Sequence, residues 1–254
     1  MIFDPVMKQF FSENGYLVVE HVFTDEELAG VRRRTDELIA NPTAVATGVS
    51  VGREGDTVTD KTSPQAGNKT VRGAAFLVRF DPVFQELARN PKLLKLVRGL
   101  IGPDIKVFRD QMLLKPPGGQ AKPLHQDQSY FRIVPEDDLV TAWIALDEAT
   151  LENGCMRYIP GSHRHGVFDV ELDPERPVHH VPVTRGLQLT EPVVCPVPAG
   201  SIIFHHGCTL HCSDDNYTDS WRRAIILHFT TTKARSEFDR MNQEVSLTFD
   251  GETR

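Results

Sequence analysis

The sequence predicts a mainly β fold with flanking helices: a jelly-roll core behind a helical N-terminal part. From Ile105 onward, short runs rich in β-branched and aromatic residues alternate with turn residues at fairly even spacing, the pattern of a sandwich or barrel. Before Ile105 apolar residues recur at helical spacing instead. The length, 254 residues with 40% hydrophobic and 25% charged, suits one packed unit with a real core.

Asp4 to Glu13 carries Val6, Met7, Phe10 and Phe11 on a helical period and stops at Asn14-Gly15. Tyr16–Val19 is a short β-prone run. Thr24-Asp-Glu-Glu27 reads as a capping box, in which hydroxyl and carboxylate each satisfy a backbone N–H of the other residue. It opens a helix through roughly Ile39 that ends before Asn41-Pro42. Residues 43–70 are rich in Gly, Ser, Thr and Asp without periodicity, the texture of a functional lid or a disordered loop. Asp81–Ala88 and Pro91–Leu100 read as two more helices, the second stopped at Gly102-Pro103. The β runs then follow: IKVFRDQMLL, a turn at Pro116-Pro-Gly-Gly119, LVTAWIAL, GCMRYIP, VVCPVP, GSIIFH and RRAIILHFTTT. Residues 164–190, rich in Pro, His and acidic groups, read as an insertion between strands. The expected organisation is a single domain over 1–254, with a helical part at 1–104 and the core at 105–235.

A formal charge of −7 argues against a nucleic-acid or anionic-membrane partner, which would require a basic face, and leaves a small-molecule substrate. The N-terminus lacks a basic region followed by an apolar run, and no stretch reaches transmembrane length. Cys155, Cys195, Cys208 and Cys212 are irregularly spaced, so reduced thiols in a cytoplasmic protein are expected. No sequence feature encodes the oligomeric state.

The chemistry-bearing segment is His125-Gln126-Asp127. In an extended strand residues i and i+2 share a face, so this imidazole and carboxylate could grip one ion together. A second histidine would complete the 2-His-1-carboxylate set of non-haem iron oxygenases. His-x-Asp also occurs by chance, and the third ligand is open among His205, His206 and His211. Cys208 and Cys212 raise a Cys/His zinc site, but their three-residue spacing has no second cysteine pair. Buried histidines and cysteines as plain core residues stay open as well. A chelating co-substrate with a far carboxylate calls for an arginine fork. Alternation puts Arg222 with Ala224, Ile226 and His228, and Arg223 on the opposite face, without deciding which faces inward.

HQDQSYF, then TAWIALDEATLENGCMRYIPGSH, then PAGSIIFHHGCTLHCSDDNYTDSWRRAI together resemble the phytanoyl-CoA dioxygenase family of Fe(II)/2-oxoglutarate oxygenases, from about Val107 to Thr232 and more loosely over the N-terminal helices. The resemblance implies a double-stranded β-helix core of cupin-like type, with His125, Asp127 and His211 as catalytic metal ligands. It selects Arg222 over Arg223 for the far carboxylate of 2-oxoglutarate, adds Ser213 beside it, and places Trp143 and Gln111 near the co-substrate. The implied reaction consumes O2 and releases succinate and CO2, most simply hydroxylating an aliphatic C–H bond. Related halogenases replace the carboxylate ligand by a small residue, so an intact Asp127 points away from halogenation.

Two rivals accompany this reading: a cupin-like dioxygenase or isomerase that uses the metal without 2-oxoglutarate, and an inactive jelly-roll binding protein. Tyr130 and Phe131 are expected either in the pocket or in the core. Lys69 and Arg72, after the long loop, are expected either to contact an anionic substrate or to form a solvated charged edge. His163 and His165 are read as supporting a loop or lining the pocket mouth, and His179 and His180 as solvent-exposed, rather than as ligands. The substrate itself is not encoded in any motif.

Overall fold

The structure is a computed structural model that describes residues 3–43, 45–57, 67–173 and 180–249. In chain order the first part runs α1 (Pro5–Asn14), β1 (Tyr16–Val19), α2 (Asp25–Ala40), β2 (Ser50–Arg53), β3 (Val71–Ala75), α3 (Leu77–Phe80), α4 (Pro82–Ala88) and α5 (Pro91–Ile101). β4 (Ile105–Lys115), β5 (Lys122–His125), the one-turn helix α6 (Gln128–Phe131), β6 (Ile133–Val134), β7 (Leu139–Ala145) and β8 (Met156–Tyr158) follow. Next come β9 (Val170–Leu172), β10 (His180–Pro182), β11 (Val193–Cys195), β12 (Ile202–His206), β13 (His211–Ser213) and β14 (Arg222–Thr231). The chain closes with β15 (Arg235–Ser236), α7 (Asp239–Gln243) and β16 (Leu247–Thr248).

The helix ends are set by the residues that predicted them. The Asp4 carboxylate accepts the Met7 N–H at 2.9 Å, and Gly15, at φ 77, terminates α1. The capping box of α2 is closed both ways, by Glu27 N–H to Thr24 Oγ1 at 3.3 Å and Thr24 N–H to Glu27 Oε2 at 2.8 Å.

A larger antiparallel sheet has the order β1-β12-β7-β14-β4-β3-β2, with β16 beside β4, and a smaller one has the order β11-β8-β13-β5. Side-chain alternation divides the core. On β14, Ile225, Leu227 and Phe229 face the helices and pack with Leu28, Phe84, Leu93 and Val97. Ala224 and Ile226, with Trp143 of β7, face the smaller sheet and meet Met156, Tyr158 and Cys195. Arg222 and His228 lie on that same inner face, and this periodicity aims them into the space between the sheets.

Two sequence expectations need revision. Residues 43–70 are not all loop: Ser50–Arg53 pairs with Ala75–Val71 at the edge of the larger sheet, an edge strand that Gly52 and exposed polar residues disguise. Residues 44 and 58–66 lie outside the described residues. The expected run Tyr16–Val19 is β1 of the larger sheet, and the first hundred residues add β2 and β3, which were not expected. Within 164–190 the described residues form the β9–β10 hairpin, and 174–179, with His179, lie outside them. Among the described residues no helix is long and apolar enough to cross a membrane.

Candidate active site

His125 ends β5 and His211 begins β13, and the two are direct partners across the antiparallel ladder, with ring centroids 4.1 Å apart. Asp127 arrives differently from the sequence expectation. β5 stops at His125, and Asp127 has helical backbone angles (φ −64, ψ −34) at the cap of α6. Strand alternation therefore does not align the pair; a strand end running into a helical turn does. Gln126 fixes that turn: its amide donates to the Gly166 and Cys208 carbonyls and its oxygen accepts the Phe168 N–H. Gln128 N–H adds a bond to the Gly207 carbonyl at 3.0 Å.

One ligand atom from each of His125, Asp127 and His211 lies within 4.8 Å of the others, and all three residues are buried. Their hydrogen bonds assign the free atoms. His125 Nδ1 lies 2.8 Å from the Pro123 carbonyl and His211 Nδ1 2.9 Å from the Thr209 carbonyl. A carbonyl only accepts, so each Nδ1 carries the proton and each Nε2 keeps a lone pair. Asp127 Oδ2 accepts from Thr141 Oγ1 at 2.5 Å and from His205 Nε2 at 2.9 Å, leaving Oδ1 to turn toward His211 Nε2 at 3.8 Å. Two imidazole nitrogens and one carboxylate oxygen converge, the donor set that suits a divalent iron with coordination positions to spare.

Behind Asp127 lies a hydrogen-bond chain that the sequence reading did not find. Thr141 Oγ1 gives its proton to Asp127 and so accepts from His228 Nδ1 at 2.8 Å, while His228 Nε2 sits 3.3 Å from the Gln111 amide. His205 Nδ1 is 3.1 Å from the Tyr158 hydroxyl. A faint signal existed, since Thr141 is two residues before Trp143 and His228 six after Arg222, each at even spacing on its strand. His206 is drawn off to Asp137, at 3.3 Å, and to the Cys208 N–H.

Electrostatics favour the ligand-ready protonation states. Burial, then the neighbouring His205, pushes His211 down to about 3. Burial, followed by His211, also holds His125 well below its ordinary value. Burial alone would raise the Asp127 carboxyl, but His228 and His205 outweigh it and keep it well below the usual range.

Beside the three residues opens a cavity of about 390 Å³, lined by Arg222, Ser213, Trp143 and Gln111 among others. Arg222 is 2% exposed, its Nε and Nη1 have no hydrogen-bond partner among the described residues, and its guanidinium carbon lies 5.3 Å from the Trp143 ring centroid. Trp143 Nε1 is also buried without a partner. Burial, then the charge of Arg72, lowers Arg222 to about 10, still cationic at neutral pH. A buried, unpaired guanidinium facing a cavity costs stability unless an anion enters. Arg223 faces away and is paired with Asp147 and Asp36. This donor set and this unsatisfied clamp fit iron and a dicarboxylate.

The remaining sequence candidates divide. Arg72, Tyr130 and Phe131 line the cavity, while the Lys69 carbonyl accepts from Arg53. His163 bonds the Ser12 carbonyl and His165 lies near Phe168, neither joining the three. All four cysteines are free, and Cys208 lies by Glu136 rather than in a zinc cluster.

Comparison with known proteins agrees with this geometry. The chain is 30% identical over 264 residues to phytanoyl-CoA dioxygenase domain-containing protein 1 of Bos taurus, covering 88% of this chain and 89% of that one. It is 27% identical over 247 residues to the peroxisomal phytanoyl-CoA dioxygenase of Homo sapiens, covering 88% and 67%. Among solved structures, the epimerase SnoN in complex with Fe3+, alpha ketoglutarate and nogalamycin RO superposes with a TM-score of 0.73 at 22% identity, over 99% of this chain and 93% of that one. EctD from S. alaskensis with 2-oxoglutarate and 5-hydroxyectoine gives 0.70 at 22% identity, over 92% and 78%. These two structures share the fold, a cupin-like jelly roll. The family model described as phytanoyl-CoA dioxygenase matches residues 11–224, and the chain belongs to that family of Fe(II)- and 2-oxoglutarate-dependent oxygenases.

Proposed function

We propose that this chain, acting as a single domain, hydroxylates an aliphatic C–H bond of a small-molecule substrate, with His125, Asp127 and His211 holding Fe(II) and Arg222 holding 2-oxoglutarate. The observation that carries the reading is the buried Arg222, whose unpartnered N–H groups share one cavity with the three ligand residues. Iron and 2-oxoglutarate, when bound, supply with O2 the oxidation of an unactivated C–H bond, releasing succinate and CO2. The protein's contribution is geometric and electrostatic. His125 and His211 offer Nε2, their tautomers locked by the Pro123 and Thr209 carbonyls. Asp127 offers Oδ1 while Thr141 and His205 hold Oδ2, fixing the carboxylate's rotation. Arg222 clamps the far carboxylate of the co-substrate, with the Ser213 hydroxyl and the Trp143 N–H as further donors and Gln111 at the cavity wall. Trp143, Ile226 and Phe131 give part of the cavity wall an apolar surface. The four free thiols support a reducing, cytoplasmic setting.

The test is an anaerobic Fe(II) titration with 2-oxoglutarate, followed by a metabolite screen for substrate-stimulated succinate. The expected result is one Fe(II) per chain, 2-oxoglutarate binding that depends on Arg222, and succinate released in step with a hydroxylated product. Iron binding that survives while Arg222→Ala leaves turnover intact would transfer the chain to the rival chemistry without 2-oxoglutarate.

A further inference from the structure

Four cations line the main cavity: Arg72, Lys115, Lys122 and Arg222. Arg222 belongs to the co-substrate. Arg72 is neutralised by Glu54 at 3.0 Å and also donates to the Gln120 and Ala121 carbonyls. Lys115 donates to the Asp214 carbonyl, and burial, with Arg222 and Arg72 nearby, pushes it down to about 6, so it is largely uncharged at neutral pH. Lys122 is left. Its ammonium is 3.3 Å from the Tyr130 hydroxyl and 5.1 Å from the Tyr130 ring centroid, and no carboxylate of the described residues pairs with it.

A second cavity, of about 240 Å³, adjoins the first: His125 and Tyr130 line both. Its other walls are Val170, His180 and Pro182 of the β9–β10 hairpin and Ser129, whose Oγ is buried without a hydrogen-bond partner among the described residues. Lys122 and Tyr130 thus sit where a largely apolar chamber opens onto the iron ligands. The charges define what this junction lacks. Divalent iron, the Asp127 carboxylate, the 2-oxoglutarate dianion and Arg222 sum to zero, and so do Arg72 and Glu54. Lys122 is then the lining cation that has no carboxylate partner among the described residues, and it contributes one positive charge. A phosphate monoester, close to doubly charged at neutral pH, would overshoot it; a carboxylate would balance it.

We propose that Lys122, assisted by the Tyr130 hydroxyl, anchors the carboxylate of an aliphatic substrate, whose chain lies in the chamber against Val170 and Pro182 and whose reactive C–H faces the iron. This rests on the iron and 2-oxoglutarate reading above. Lys122 is a positioning and specificity residue here: an ammonium beside one hydroxyl acceptor retains free N–H donors, and a charge-assisted bond to a carboxylate is strong where water is partly excluded.

The test measures binding without turnover. Protein loaded with Fe(II) and 2-oxoglutarate in the absence of oxygen is titrated calorimetrically with butanoate, hexanoate and octanoate, and with the amide of each. The wild type is expected to bind at least one carboxylate about tenfold or more tightly than its amide. Lys122→Gln should erase that preference and Lys122→Arg retain it, with 2-oxoglutarate affinity unchanged in both. Amides that match the carboxylates, no binding by any carboxylate, or a preference that survives Lys122→Gln would overturn the proposal. So would a Lys122→Gln loss that falls on 2-oxoglutarate, since Lys122 would then serve the co-substrate. Failure of the underlying reading is separable: the iron-loaded wild type would take up no 2-oxoglutarate at all.

Discussion

Arg222 burdens the ligand-free fold. Its guanidinium is buried with two N–H groups unpartnered, so the apo protein bears a desolvation cost that only a bound anion repays. Arg222→Met keeps much of the stem's contact with Trp143 and removes the charge. The ligand-free variant should therefore unfold at the same or a higher temperature, gaining up to about 1–3 kcal/mol. Its 2-oxoglutarate affinity should fall by about a hundredfold or more, since two charge-assisted bonds are lost. Thermal melts with and without 2-oxoglutarate check both signs, and a destabilised apo variant with intact affinity would refute the assignment. Thr141 acts through Asp127. Thr141→Val removes the donor to Oδ2 and strands the His228 Nδ1 proton, so Fe(II) affinity should drop about 10–100-fold with little change in far-UV circular dichroism. The contrast between these residues shows what the sequence could reveal. The proposed ligands His125, Asp127 and His211 and the proposed clamp Arg222 were suggested by the resemblance of whole segments to a known family, which singled them out where spacing alone left His205, His206 and Arg223 open. Thr141, His205 and His228 matter only because β7, β12 and β14 lie side by side, and neighbouring order is not written in any one segment.

At the scale of elements, one strand organises the site. β14 pairs with β4 on one side and β7 on the other, and its alternation sends Arg222 and His228 inward and Ile225 and Leu227 to the helices. The alternation was readable, though not which face turns inward; the capping box of α2 and the Pro-headed helices α4 and α5 were readable too, because each depends on chemistry local to a few residues. Two local features defeated local reading. The turn at Asp127 is imposed by Gln126 and Gln128 bonding to residues some eighty positions away, and β2 lacks the apolar alternation that marks a strand. β3 carries a further constraint at Gly73, which pairs with Leu113. A Cβ built there would lie 2.3 Å from the Met112 carbonyl oxygen, a contact that backbone must move to relieve. Gly73→Ala should pry β3 from β4 and cost about 1–3 kcal/mol in urea unfolding. Because Arg72 adjoins Gly73 and lines the cavity, 2-oxoglutarate affinity should fall while Fe(II) affinity, for which the proposed ligands sit on β5, β13 and the cap of α6, should be retained. Unaltered stability would mean that the strand edge is not held as closely as the structure has it.

The formal net charge of −7 counts every lysine and arginine of the sequence as charged and says nothing of the buried bases whose proton affinity the fold lowers. Burial, ahead of neighbouring cations or imidazoles, lowers Lys115 to about 6, His206 to about 4 and His211 to about 3. In each case the folded pKa lies below the unfolded one, so between the two values the unfolded chain binds more protons and stability rises with pH. The histidine contributions act below about pH 6.5, and the Lys115 contribution acts from about 6 to about 10.5. The thiols have the opposite sign. Burial raises Cys195 and Cys208 to about 12, so above about pH 9 the folded state retains protons that the unfolded chain gives up, and stability falls. The metal-free protein should thus gain stability from pH 4 to about pH 8.5 and lose it above about pH 9. Lys115→Met separates the contributions. The wild type should climb by about 1.4 kcal/mol per pH unit between about pH 6.5 and 8.5, one proton's worth, and the variant should be nearly flat there. Below pH 6 both should fall in parallel, since the histidines are common to them. Urea midpoints across this range decide the matter: parallel curves above pH 6.5 would mean that Lys115 is charged in the folded protein. In that event the cavity would hold a second uncompensated cation beside Arg222, its partner across the β4–β14 ladder. The anion balance that assigns a single carboxylate to Lys122 would then have to be drawn again.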